Sequence, residues 1–355
     1  MAHRMRGKLT LVFTAALALM VSGCAIRFGN QSQAPVVLGV FKSGDRTENW
    51  VAKNLFLHSG GAGTIAGVSV MSVIFDPQDT NALYLTSSDG LLYSYDAGES
   101  WQRANSLTGP VRTVAIDPGN KCVIYAGLNH TVVKSVDCSR SWAEVYLDEK
   151  PEKVITALGV DFFNNLIIYA GNSAGDVLKS DDGGVTWRVS NRFKNAISRF
   201  LIDPSDSRVI YVATAQQGLF KTTDGGVTWT DLNNGLQQYS GAFEFRQHIF
   251  DPTQANSLLL VAKYGLLKSE DAGETWQPVT LITPPASTDI LAVAISPADN
   301  QEIYYATAST FYQTFDGGQN WITKRLPTRG VPSVMLIDPT NPNVVYLGVA
   351  APPSR

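Results

Sequence analysis

The chain is poor in the residues that build most reactive centres. It has 355 residues and only 3 Cys, at positions 24, 122 and 138. That is too few for a disulfide scaffold, and no C-x2-C metal spacing occurs. Its 4 His, at 3, 58, 130 and 248, are scattered. There is no G-x-S-x-G elbow, and Gly60-Gly61-Ala62-Gly63 lacks the strand-to-helix spacing of a nucleotide loop. No charge of one sign dominates: 28 Lys+Arg stand against 31 Asp+Glu, a net of -3. That balance gives no electrostatic reason to expect nucleic acid as a partner. No apolar run is long enough to span a bilayer comfortably; the longest, residues 9–20, is LTLVFTAALALM.

That run has an address rather than a fold to explain it. Arg4, Arg6 and Lys8 precede it, and Val21-Ser22-Gly23-Cys24 follows. The arrangement resembles the bacterial lipoprotein signal, in which an aliphatic residue and two small residues lead to an invariant Cys. The resemblance implies cleavage before Cys24 and a diacylglycerol on its sulfur, so that the membrane is one partner. Residues 1–23 are then a signal peptide, 24–35 a lipidated tether and 36–355 the folded part. Losing Arg4, Arg6 and Lys8 leaves 25 basic and 31 acidic residues. The tether, fully extended, reaches at most about 40 Å. The expected location is extracytoplasmic and lipid-anchored. In a host with two membranes, the lack of Asp after Cys24 favours the outer membrane, on its periplasmic side or at the cell surface.

A period near 45 residues governs everything else, and such periods belong to solenoids and propellers. An apolar run ends in Asp-Pro at Asp76, Asp117, Asp203, Asp251 and Asp338, with degenerate copies at Asp161 and Ser296. A Tyr-bearing run follows, at Tyr84, Tyr125, Tyr169, Tyr211, Tyr305 and Tyr346, with Leu260 in its place once. An octet closes each repeat: SYDAGESW, SVDCSRSW, SDDGGVTW, TTDGGVTW, SEDAGETW and TFDGGQNW, with SGDRTENW near the N-terminus. All 7 Trp, namely Trp50, Trp101, Trp142, Trp187, Trp229, Trp276 and Trp321, fall at one octet position. The aspartates of the octets are Asp45, Asp96, Asp137, Asp182, Asp224, Asp271 and Asp316.

These octets match the Asp-box, S-x-D-x-G-x-T-W. The chain thus resembles the family of Asp-box (BNR) propellers, which includes sialidases, sortilin-type receptors, xyloglucanases and the photosystem II assembly lipoproteins. The chemistry of the octet suits a hairpin turn. The carboxylate accepts backbone N–H groups, Gly supplies positive φ, and each Trp starts a strand and is expected to be buried between blades. The expected architecture is all-β: a seven-bladed β-propeller of four-stranded antiparallel blades. From the Asp-Pro aspartate to the octet Trp takes 25 or 26 residues in every complete repeat. The C-terminus has an Asp-Pro run without an octet, and the N-terminus an octet without an Asp-Pro run. The two ends should therefore share one blade, two strands each, which removes exposed edges.

Cys122 and Cys138 flank a turn near His130. A hairpin centred there pairs positions summing to 260, which sets the two sulfurs face to face in an oxidising compartment, so a disulfide is expected.

Function is expected on the face formed by the d–a and b–c connections. Its longest connections are residues 51–67, 143–154, 230–244 and 277–289. Arg112, Arg199 and Arg246, with His248 just below, stand at the upper ends of inner strands and line the channel mouth. Tyr146, Tyr239 and Phe243 complete the candidate binding face. No catalytic residue, metal or cofactor is expected. The reading is a non-catalytic binding or assembly lipoprotein that docks a protein or glycan. The alternative is a glycoside hydrolase of xyloglucanase or sialidase type. That alternative needs two carboxylates about 5–9.5 Å apart; Asp148, Glu149, Asp176 and Glu244 are the loop candidates. The sialidase Phe-Arg-Ile-Pro motif is absent. Aligned on Tyr84 and Tyr93, the xyloglucanase aspartate falls on Ser88, one place from Asp89.

Overall fold

The computed structural model describes residues 36–104 and 107–352. The expected signal peptide, lipidated Cys24 and tether lie outside the described residues. Seven antiparallel units of four strands form the blades, and the single helical element among the described residues is the 3-10 turn Asn233–Leu236.

Blade 1 takes Val70–Asp76, Asp79–Ser87, Gly90–Ser94 and Ser100–Arg103 as strands a to d; blade 2 takes Val111–Asp117, Asn120–Leu128, Thr131–Ser135 and Ala143–Leu147. Blades 3, 4, 5 and 6 begin at Ile155, Ile197, Phe245 and Ala292. Blade 7 is composite. Val331–Asp338 and Asn341–Ala350 come from the C-terminus, Gly39–Ser43 and Val51–Ala52 from the N-terminus. The seam is antiparallel from Gly39↔Val349 to Ser43↔Val345. The expected sharing of one blade by both ends is therefore present.

The core is a set of seven slabs, one between each pair of neighbouring blades. One slab joins Val40 and Tyr346 of blade 7 to Val70, Val73 and Trp101 of blade 1. Polar latches cross the slabs. The phenols of Tyr125, Tyr169, Tyr211 and Tyr346 donate to carbonyls in the next blade's Asp-box: Gly183 (3.1 Å), Gly225 (3.0 Å), Ala272 (3.1 Å) and Ala97 (2.9 Å). Lys134, Lys179 and Lys42 donate to the same carbonyls as the first, second and fourth of these. Register places Leu259 opposite Lys268 and Tyr304 opposite Gln313, where the other blades have their latch tyrosine. The latch positions are thus Leu259 and Tyr304, one residue before the expected Leu260 and Tyr305. Tyr305 instead stacks on Tyr312 at 4.3 Å.

Each Asp-box is a closed hydrogen-bond ring. In blade 1, Ser94 Oγ donates to Asp96 Oδ1 (2.7 Å) and accepts from Gly98 N (2.9 Å). The same carboxylate accepts from Ser100 N (2.9 Å) and Ser100 Oγ (2.6 Å). Two successive residues after the Asp have positive φ. In the first, fifth and seventh blades that includes Ala97, Ala272 and the pair Arg46-Thr47; in the second it is Cys138-Ser139. A left-handed conformation costs a non-Gly residue about 1 kcal/mol, so these boxes are held by their side-chain bonds and by packing.

Three further expectations need correction. Residues 51–67 are not an open loop: Leu55–His58 and Gly61–Thr64 form a hairpin whose first strand pairs in parallel with the outer strand of blade 1, Leu55↔Ser100 and Phe56↔Trp101. The hairpin covers what would otherwise be a free sheet edge. The hairpin of blade 2 pairs positions summing to 259, as in Tyr125↔Lys134, rather than 260. Ladder pairing ends at Ile124↔Ser135, and Cys122 and Cys138 are joined by a disulfide beyond it, where Cys138 N also donates to Cys122 O (3.2 Å).

The third correction concerns the octet tryptophans. All seven reach an inter-blade slab, but only Trp101 and Trp276 are fully buried. Trp50, Trp142, Trp187, Trp229 and Trp321 are half-buried at the slab margins. The physical reason is their place at the start of the outermost strand, where one side of the ring meets solvent unless another segment covers it. The 55–64 hairpin covers Trp101, and the turn carrying Gly235 and Tyr239 covers Trp276. Trp50 instead packs edge-on against Phe311 at 5.8 Å, and Trp321 against Tyr305 at 4.8 Å. Trp321 Nε1 donates to Thr280 O (2.7 Å), whereas the indole N–H groups of Trp50, Trp142 and Trp229 are buried without a partner.

Candidate functional site

Strand a of every blade lines the central channel, a cavity of about 490 Å³. Side chains normally alternate across a strand and here point toward the two flanking blades. A register irregularity interrupts that alternation near the mouth in six of the seven inner strands. Met71, Arg112, Thr156, Ser198, Arg246 and Ser333 are the skipped residues. An extra residue in one strand re-aims its side chain, and all six line the channel. In blade 6 the equivalent position, Leu291, lies just before the inner strand and lines it too.

The candidates Arg112, Arg199 and Arg246 meet in this channel. No Asp or Glu is among the lining residues. Arg246 reaches Asp289 at the rim, 3.4 Å away, with both side chains solvent-exposed. Arg112 and Arg199 make no hydrogen bond or ion pair among the described residues. Arg199 is solvent-exposed in the bore, where desolvation by the surrounding protein lowers its guanidinium pKa. His248 does not line the channel. It is buried between blades 4 and 5, stacks edge-on against Phe245 at 5.1 Å, and neither ring nitrogen has a hydrogen-bond partner. Burial first, and the Arg199 charge second, push its pKa down to about 3. It is therefore neutral at pH 7.

The aromatic candidates lie elsewhere. Tyr239 donates to Trp276 O (2.6 Å) and packs edge-on against Tyr264 at 5.0 Å. Phe243 packs into the same slab between blades 4 and 5. Tyr146 packs against Trp187 at 5.6 Å and donates to Asp148 Oδ2 (3.0 Å). None of the three lines the channel. These are inter-blade contacts, and the apolar pattern of their loops gave no means of telling them from a binding face.

Among the acidic candidates, Asp176 is buried and accepts from Lys153 Nζ (2.6 Å), Asn172 Nδ2 (3.2 Å) and Arg192 Nε (3.2 Å). Burial opposes its charge, but these donors keep its carboxyl below the usual range. Asp148 accepts from Tyr146 and from Lys150 N (3.1 Å). Both carboxylates act electrostatically on Lys153 and Tyr146, so they share one polar cluster at the tops of blades 2 and 3. Glu244 pairs with Lys263 at 3.4 Å. Asp89 sits at an exposed hairpin tip with its N–H on Ser87 Oγ (3.2 Å). The Asp-box carboxylates are consumed by their own turns. Those of Asp45, Asp137, Asp182 and Asp316 are lowered to about 2 by side-chain and backbone donors, and that of Asp224 further still. In Asp96 and Asp271 burial opposes the same donors, which still hold the carboxyl below its ordinary value.

A family profile described as photosynthesis system II assembly factor YCF48 matches residues 200–336. A xyloglucanase of Hypocrea jecorina is 29% identical over 197 residues, which cover 48% of this chain and 22% of that enzyme. Among solved structures, the GH74 xyloglucanase of Xanthomonas campestris superposes with a TM-score of 0.63 at 18% identity, over 80% of this chain and 51% of its own. A YCF48 bound to a D1 peptide superposes with a TM-score of 0.62 at 14% identity, over 81% of this chain and 94% of its own. The chain thus spans about a fifth of the xyloglucanase it matches in sequence, about half of the GH74 structure, and nearly all of a YCF48. The chain is thus an Asp-box β-propeller that is similar both to the YCF48 assembly factors and to the GH74 xyloglucanases.

Proposed function

We propose that this propeller is a docking module, held outside the cytoplasm by a lipid on Cys24, that binds a protein partner on the face where the arginine-lined channel opens. One observation carries the reading: that mouth presents guanidinium groups with no lining carboxylate, a surface suited to acidic or carboxylate-bearing segments. A YCF48 that binds a D1 peptide is a precedent for protein docking on this fold.

A hydrolase reading draws on the Asp148–Asp176 cluster. A glycosidase needs one carboxyl kept protonated near neutral pH. Asp176 is instead held ionised by Lys153 and Arg192.

The test is capture from detergent-solubilised native membranes, beside a xyloglucan hydrolysis assay. The docking reading expects one stoichiometric protein that is lost with Arg112→Glu/Arg246→Glu. Sugar release that disappears in Asp176→Asn would replace it with the hydrolase. The N-terminal peptide mass tests the anchor: an unmodified Cys24 thiol in membrane-derived protein removes it.

A further inference from the structure

We infer that the channel mouth is a binding site for a small oxyanion, a phosphate or carboxylate group, held by Arg112, Arg199 and the Ser198 hydroxyl. The inference goes beyond docking and stands whether or not a protein covers the face.

Two features converge on it. First, the cations are unpaired. Guanidinium groups gathered without a counter-charge attract anions. Arg199 and Arg112, both exposed to the bore, have no hydrogen-bond or ion-pair partner among the described residues. Second, the ring positions are built. The bulged residues leave the ladder and line the bore, and Thr156, Ser198 and Ser333 among them carry hydroxyls. Thr156 Oγ1 is spent on backbone carbonyls at Gly171 (3.2 Å) and Ile197 (2.5 Å). Ser333 Oγ is buried against the Gly348 strand and out of reach of the bore. Ser198 is exposed in the lining, and its hydroxyl makes no hydrogen bond among the described residues. Guanidinium forks match oxyanions in geometry as well as charge. The charged side chains lining the channel among the described residues are Arg112, Arg199 and Arg246, all cationic.

Calorimetric titration of the full chain tests this, using inorganic phosphate, pyrophosphate and citrate at fixed ionic strength against chloride. Saturable binding with one ligand per chain is expected, weakened at least about tenfold in Arg199→Gln and in Arg112→Gln. Preference between phosphate and citrate identifies which oxyanion the ring fits. A binding arginine and a structural one part company in the ligand-free melting temperature. Arg199→Gln should melt like the parent, since the exposed Arg199 side chain makes no hydrogen bond or ion pair among the described residues. A drop in melting temperature with anion binding intact would assign Arg199 to stability. Should Arg199→Gln fail to fold, Arg112→Gln, exposed at a bulge, decides alone. Absence of saturable binding to every probe, or equal affinity in both variants, overturns the proposal. Partner capture that persists in saturating phosphate leaves docking standing apart from it.

Discussion

Trp101→Ala should be the most damaging single change at any octet tryptophan. Trp101 is fully buried in the slab between blades 7 and 1, among Val40, Val70, Leu92 and Tyr346. Its indole N–H donates to Lys53 O at 2.8 Å, across the blade boundary. Truncating a buried Trp costs about 3–5 kcal/mol, and stranding the Lys53 carbonyl adds about 1 kcal/mol or more. A loss of about 5 kcal/mol, set against an unfolding entropy of about 2 cal/mol/K per residue, lowers the melting temperature by about 7 °C. Trp229 is the control. It is half-buried against Phe193 at 5.5 Å, and its N–H is buried without a partner. Trp229→Ala removes an unsatisfied donor along with the ring, so about half the loss is expected. Trp101→Phe, which keeps an aromatic ring and loses the donor, should fall between parent and Trp101→Ala. The assay is thermal unfolding by circular dichroism on purified protein at one scan rate. Equal losses for Trp101→Ala and Trp229→Ala would refute the idea that burial and the cross-blade hydrogen bond set the difference.

Three further outcomes follow from the same structure. The carboxylates of Asp45, Asp137, Asp182 and Asp316 have folded pKa values of about 2 against 3.8 for the free side chain, so their stabilisation is complete above about pH 4 and is lost as pH falls toward 2. Melting temperature should hold from pH 7 to 5 and fall steeply below 4, with a shallower fall in Asp182→Asn; a flat profile to pH 2 would count against the rings. Reducing Cys122–Cys138, a bridge of sequence separation 16, should cost about 3 kcal/mol. Dithiothreitol should therefore lower the melting point of the parent and leave Cys122→Ser/Cys138→Ser untouched. Tyr169→Phe removes a buried bond to Gly225 O that Lys179 also serves, so about 1 kcal/mol or less is expected in urea unfolding; a loss above about 3 kcal/mol would make the phenol, not the shared carbonyl, the main latch.

Architecture was legible because each blade restates it. Asp-Pro turns, tyrosines and octets recur with fixed spacing, and the composite blade followed from counting what each terminus lacked. Local departures were harder. The hairpin at 55–64 carries Gly61-Ala62-Gly63, which reads as loop, and only its parallel pairing to Ser100 and Trp101 makes it sheet. That hairpin also decides why Trp101 is sealed while Trp50, Trp142 and Trp321, at the same octet position, keep a wet edge. The register of blade 2 is set by its two-residue tip, Asn129-His130, between the paired Leu128 and Thr131, which centres the hairpin half a residue before His130. At the site, Arg112, Arg199 and Arg246 were traceable by counting back from Asp-Pro. Tyr146, Tyr239 and Phe243 were not separable from packing residues, because an aromatic in a loop beside a blade slab satisfies both patterns. Ser198 carried no sequence signal, since its place in the lining depends on a bulge that one residue of slippage creates.

The ring of skipped residues has an evolutionary corollary. Because Met71, Arg112, Thr156, Ser198, Arg246 and Ser333 have no ladder partner opposite them, exchanging their side chains spares the sheet hydrogen bonds. The scaffold can thus drift in selectivity at a handful of codons while its fold stays fixed, so relatives with nearly superposable backbones are free to prefer unlike ligands.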